Sequence, residues 1–153
     1  MPSPVEVSAA HRLRVRYSET DQMGVVYHAN YIIWFHEARD ALFREAGIDL
    51  AAIEDAGYRF PIVDTSCRYM HSARYGDEVI VHAHLLRETV ARLRFRFEVF
   101  HARSLRLLAS GTSVSVVTDT KGKLLLRTPA SIGHLLDVLV SKQRTRVNQT
   151  ERA

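Results

Sequence analysis

Five consecutive apolar residues, Tyr31, Ile32, Ile33, Trp34 and Phe35, lie early in a segment that has helical start and stop signals. Asn30 can cap a helix there, and Gly47 can end it just after Ala46. At 100° per residue, five such neighbours point in every direction, so the first turns of this helix must be wrapped by other structure. The second half is two-sided, with His36, Glu37, Arg39, Asp40, Arg44 and Glu45 set beside Ala38, Ala41 and Leu42.

The rest of the chain offers strands to do the wrapping. Residues 12–17 alternate as Arg-Leu-Arg-Val-Arg-Tyr, which predicts a half-buried strand with Leu13, Val15 and Tyr17 on one face. A short turn or helix at Leu50–Ala56 follows the long helix, and four strand-like segments come next. The first runs from about Phe60 to His71 with Pro61 near its start, where a strand tolerates proline. The others cover Val79–Leu86, Arg92–Phe100 and about Arg106–Thr118. In the third, Leu93, Phe95, Phe97 and Val99 oppose Arg92, Arg94, Arg96 and Glu98, so one face of the sheet is wet. Gly76 and Asp77 mark one turn; Asp119-Thr120-Lys121-Gly122 marks another, before Leu124–Leu126. Pro129 opens a last short helix through Leu139. A sheet with one apolar face and a helix apolar all round satisfy each other when the sheet curls about the helix, an α+β architecture.

With 153 residues, 46% hydrophobic and 25% charged, the chain suits one compact domain at 1–140 and a basic tail at 141–153. The tail carries Lys142, Arg144, Arg146 and Arg152 against Glu151, which is +3 of the net charge of +4. The body is therefore nearly neutral and argues against a nucleic-acid partner; the tail, without aromatic residues to stack on bases, reads as a solvated, disordered end. No apolar run is long enough for a membrane span. Met1–Ala10 has neither the basic start nor the apolar core of a secretion signal, and the single Cys67 cannot form an internal disulfide, so a cytoplasmic location is expected.

Chemistry concentrates in the loop before the helix, Tyr17-Ser18-Glu19-Thr20-Asp21-Gln22-Met23-Gly24-Val25-Val26-Tyr27-His28-Ala29-Asn30. Unpaired N–H groups and the dipole at a helix N-terminus favour a developing oxyanion, and a carboxylate beside it can attack or activate water. By itself, Asp21 beside a glycine reads first as the acceptor of an Asx turn.

Asp21, Gly24, Val26 and Tyr31 fit the pattern DxxGxVxxxxY, and in this the chain resembles the hotdog-fold acyl-CoA thioesterases of the 4-hydroxybenzoyl-CoA thioesterase type. Val25–Asn30 resembles that family's stretch leading into its central helix, and strand order and length match from Arg12 to Leu139. The resemblance implies dimers or tetramers that join two sheets, with active sites at subunit interfaces and no cofactor. It places the catalytic carboxylate on Asp21, as nucleophile or general base, the oxyanion-binding backbone N–H on His28, and a further tyrosine near the carboxylate on Tyr17. Gly24, Val26, Tyr31, Trp34, Ile62 and Tyr69 are then expected around the acyl group of a small-molecule acyl-CoA. The basic residues that hold CoA phosphates in the aromatic-CoA branch are replaced here by Thr89-Val90-Ala91, which leaves Arg92 or Arg74 for that task.

Other chemistries fit less well. His82 and His84 share one face of a strand but have no third metal ligand at sensible spacing. Cys67 reads as core, with no activating base nearby. Serine-hydrolase elbows, Walker loops and dinucleotide glycine motifs are missing from the sequence. Within the resemblance, two alternatives remain: a dehydratase using His36 and Glu37, which as helix neighbours point apart, and a non-catalytic acyl-CoA-binding module.

Overall fold

The computed structural model describes residues 6–87, 91–130, 132–134 and 137. Strand β1 (Glu6–Arg14) leads through a 3-10 turn at Tyr17–Glu19 into α1 (Ala29–Glu45) and the short α2 (Leu50–Asp55). Strands β2 (Ile62–Tyr69), β3 (Glu78–Arg87), β4 (Arg92–His101) and β5 (Leu107–Val116) follow. They form one antiparallel sheet in the order β1-β3-β4-β5-β2. The last three strands make the meander that short connections favour, whereas β1 and β2, which flank α1 in sequence, take the two edges.

The sheet curls around α1. Along β4, Leu93, Phe95, Phe97 and Val99 are buried and the residues between them are not, as the alternation predicts. Phe97 stacks on Phe35 of α1 with ring centroids 4.6 Å apart, and Phe95 meets Phe43 edge-on at 5.8 Å. Trp34 is fully buried, and Tyr31, Phe35, Ala38, Leu42 and Phe43 join the same core. The helix ends as read, with Gly47 at φ +76° past the Ala46 cap. Asp49 caps α2 by accepting from the Ala51 and Ala52 N–H groups.

Three local expectations are corrected. β1 starts at Glu6 and stops at Arg14; Val15 is buried, but the chain then bends into the 3-10 turn and Tyr17 is 77% exposed instead of facing the core. Asn30 is not the cap of α1, because the helix already begins at Ala29 and the Asn30 amide reaches back to the Glu19 carbonyl at 2.8 Å. Ile33 is half-exposed, so a single copy of the sheet wraps the helix start only in part. Ile132 of the last helical stretch packs with Ala91 and Val117 in a small second cluster. Residues 131, 135, 136, 138 and 139 of the Pro129–Leu139 segment, residues 88–90 and the tail at 141–153 lie outside the described residues. No helix among the described residues is long and apolar enough to cross a membrane.

Candidate active site

The loop between β1 and α1 closes on itself. Thr20 bridges to Val26, Asp21 N–H donates to the Val25 carbonyl at 2.9 Å, and Gly24 N–H donates to the Asp21 carbonyl at 3.0 Å. That reversal needs the left-handed backbone of Gly24 at φ +77°. Asp21 Oδ1 accepts the Met23 N–H at 2.9 Å, so the Asx turn forms; Oδ2 has no hydrogen bond to a described residue. Val26 is buried and fastened to the turn after β2 through its N–H on the Ala73 carbonyl.

Asp21, Val26, His28, Tyr31 and Tyr69 line one open depression of about 280 Å³, with Met23, Met70, His71 and Ser72. His28 is the residue just before α1, and its N–H makes no hydrogen bond to a described residue. Its carbonyl accepts the Tyr69 hydroxyl at 2.9 Å. Burial, helped by the neighbouring Cys67, pushes the Tyr69 phenol up to about 12, so this hydroxyl keeps its proton. Tyr31 is buried, packs edge-on against Tyr69 at 5.2 Å and accepts the Ala73 N–H at 3.2 Å. Burial also raises its pKa. A larger depression of about 400 Å³ lies at the other end of α1, but the Asp49 carboxylate there is already the cap of α2.

Other expected site residues are not brought to this place. Tyr17 does not line the depression and instead packs edge-on against Tyr75 at 5.7 Å. Trp34 has no exposed surface, and its indole N–H donates to Glu19 at 3.0 Å. Ile62 lies seven residues from Tyr69 on β2, about 23 Å along a strand, and lines a separate apolar cavity of about 180 Å³ with Ile32, Phe35 and Arg39. Arg92 sits at that same far end of the sheet, since it pairs with Val116 whereas Tyr69 pairs with Ala109. Arg74, two residues past Ser72, is nearer.

The alternative chemistries also find their residues engaged elsewhere. His84 bonds Ser8 Oγ at 2.6 Å and Glu98 at 3.0 Å. Cys67 packs on the core, and burial pushes its thiol up, away from the thiolate a nucleophile needs. His36 pairs with Asp40 and Glu37 with His11 on β1, so the two diverge.

Sequence reasoning missed Glu19. It is 5% exposed, and its Oε2 accepts the Arg16 N–H at 2.8 Å while Oε1 accepts the Trp34 indole. Burial works to raise its pKa, but the Arg16 amide, the Trp34 indole and the Arg16 guanidinium all favour the anion, and the net result is a pKa below the usual 4.5. A carboxyl with a depressed folded pKa adds stability that is complete above the unfolded value and disappears as pH falls through the folded one. The stability difference between the wild type and Glu19→Gln, measured by urea unfolding, is therefore expected to shrink on acidification below about pH 4.5. A difference that grows toward acid would contradict these hydrogen bonds. Only the buried-polar pattern could have flagged Glu19 in the sequence, and that pattern needs the fold.

A curled antiparallel sheet closed on one central helix, with a carboxylate loop at the helix N-terminus, is a hotdog fold. The model of the thioesterase-like superfamily matches residues 15–138, and the chain belongs to that superfamily. A Bacillus subtilis protein provisionally named as an acyl-CoA thioesterase is 43% identical over 70 residues, which is 46% of this chain and 51% of that protein. The match thus spans about half the length of that relative. A hypothetical protein of Thermus thermophilus is 34% identical with a TM-score of 0.76 over 85% of this chain and 98% of its own. The DHNA-CoA thioesterase of Staphylococcus aureus is 26% identical with a TM-score of 0.79 over 94% and 95%.

Proposed function

We propose that this protein hydrolyses acyl-CoA thioesters to a free acid and CoA at the Asp21 depression. The observation that carries the reading is the convergence of Asp21, His28 and Tyr69 on one depression at the start of α1. The names of the B. subtilis and S. aureus relatives support the substrate class. The thioester carbonyl lies against the helix N-terminus, where the His28 N–H and the helix dipole stabilise the tetrahedral oxyanion. Asp21 either attacks the carbonyl carbon, expelling CoA thiolate and leaving a mixed anhydride that water opens, or takes a proton from the attacking water. Tyr31 and Tyr69 form the wall beside the acyl group, and the Tyr69 hydroxyl holds the His28 carbonyl. Thiol release from a panel of short, branched, aromatic and long acyl-CoAs tests the reading; failure to cleave any member would leave an acyl-CoA-binding module.

Self-association belongs to the same reading. Strand β2 is an edge with Ile62, Val63 and Tyr69 exposed, beside half-exposed Ile33 of α1, and an open apolar edge of this kind pairs readily with a second copy. Light scattering at micromolar concentration is expected to give a dimer or a multiple of it. A monomer at the 17.4 kDa chain mass would remove the interface from the site.

A further inference from the structure

We infer that Glu19 is a positioning residue that holds Asp21 and the His28 N–H on the same depression, an inference that rests on the thioesterase reading for its catalytic consequence. Glu19 uses both ends of the residue. Its carboxylate accepts the Arg16 N–H at the exit of β1 and the Trp34 indole N–H in the second turn of α1. Its carbonyl accepts the Tyr27 N–H at 2.8 Å and the Asn30 side-chain amide at 2.8 Å. One buried residue therefore fastens the strand exit, the closing end of the loop and the first two turns of the helix. Asp21 and His28 lie within the segment so held, Asp21 only two residues along from the anchor.

The site is built for a carboxylate. Two N–H donors reach different oxygens, and Glu19 is buried, so the acceptors are not interchangeable with water. A glutamine offers one oxygen and one NH₂ group; whichever way it turns, an N–H donor meets another donor. The additional contact from the Arg16 guanidinium at 3.2 Å comes from a largely exposed side chain, so the amide and the indole do most of the holding. A reacting group displaced by about an ångström loses on the order of a hundredfold in rate even when substrate still binds, because alignment is lost and not affinity.

The test compares wild type, Glu19→Gln and Glu19→Asp in thiol release and in amide hydrogen exchange, with thermal melts to establish folding. Folded Glu19→Gln is expected to lose roughly 10- to 100-fold in kcat with KM changed little, and to exchange faster at the Arg16 amide and Trp34 indole, whose acceptors are the carboxylate oxygens, while β4 amides stay protected. Trp34→Phe removes one of the two donors, so Glu19→Gln should cost less in that background. Were Glu19→Gln not to fold, Glu19→Asp, which keeps two acceptors on a shorter arm, would carry the same comparison with a smaller loss. A folded variant with wild-type kcat, or with a proportionate rise in KM alone, overturns the inference. Should the wild type cleave no acyl-CoA, the thioesterase reading falls and the exchange data alone decide: local loss of protection supports the anchor, and unchanged protection overturns it.

Discussion

Asp21→Asn is expected to lower kcat for acyl-CoA hydrolysis by roughly two orders of magnitude or more, the usual cost of losing a positioned nucleophile or general base. The substitution isolates the charge. Asp21 Oδ1 accepts the Met23 N–H in the Asx turn, and an asparagine oxygen can accept the same bond, so the loop keeps its shape. Binding of a thioether analogue and the melting temperature should therefore stay near wild type while thiol release collapses. His28→Ala is expected to cost much less, because the backbone N–H survives it. An Asp21→Asn protein with wild-type turnover would reduce Asp21 to a turn residue and favour the acyl-CoA-binding reading.

The second large effect concerns the seam where the sheet crosses the helix. Gly111 on β5 pairs with Phe97 and Cys67 in register. A Cβ there would run into the Ser66 carbonyl of β2 and the ring of Phe35. Neither can yield cheaply: one is backbone, and the other is stacked on Phe97 at 4.6 Å with nearly parallel planes. Gly111→Ala is expected to cost about 2–3 kcal/mol, as overpacking of a filled core typically does. That corresponds to a fall in melting temperature of roughly 5–10 °C for a domain of this size. Adding Phe35→Leu should restore only part, since the Ser66 carbonyl stays in the way. Calorimetry that finds the single variant within about 1 °C of wild type would mean that β2 and α1 can separate freely, contrary to this packing.

The close approach at Gly111 also marks where sequence reading stops. The apolar helix start, the alternation of Leu93 to Val99 and the turn at Gly122 were legible because each is a local periodicity or a single-residue backbone requirement. The same holds for Asp21 and Gly24, whose turn chemistry lies within four residues, and for the family pattern they share with Val26 and Tyr31. Tyr69 could be proposed as a wall, yet only the β2–β5 register carries it to the His28 carbonyl across 41 positions of sequence. The β4–β5 register likewise sets Arg92 at the far end of the sheet, whereas the length of β2 alone keeps Ile62 from Tyr69 once the strand is known to run unbroken. Tyr17 followed a correct alternation past the point where β1 ends, since a bend costs the pattern nothing locally. Trp34 and Glu19 read as unrelated apolar and acidic residues until the fold buries them against each other. Local chemistry thus wrote the elements and the reactive loop into the sequence. The partners of buried polar groups and the ends of the sheet were decided only in three dimensions, because hydrogen-bond satisfaction and packing depend on residues the chain keeps far apart.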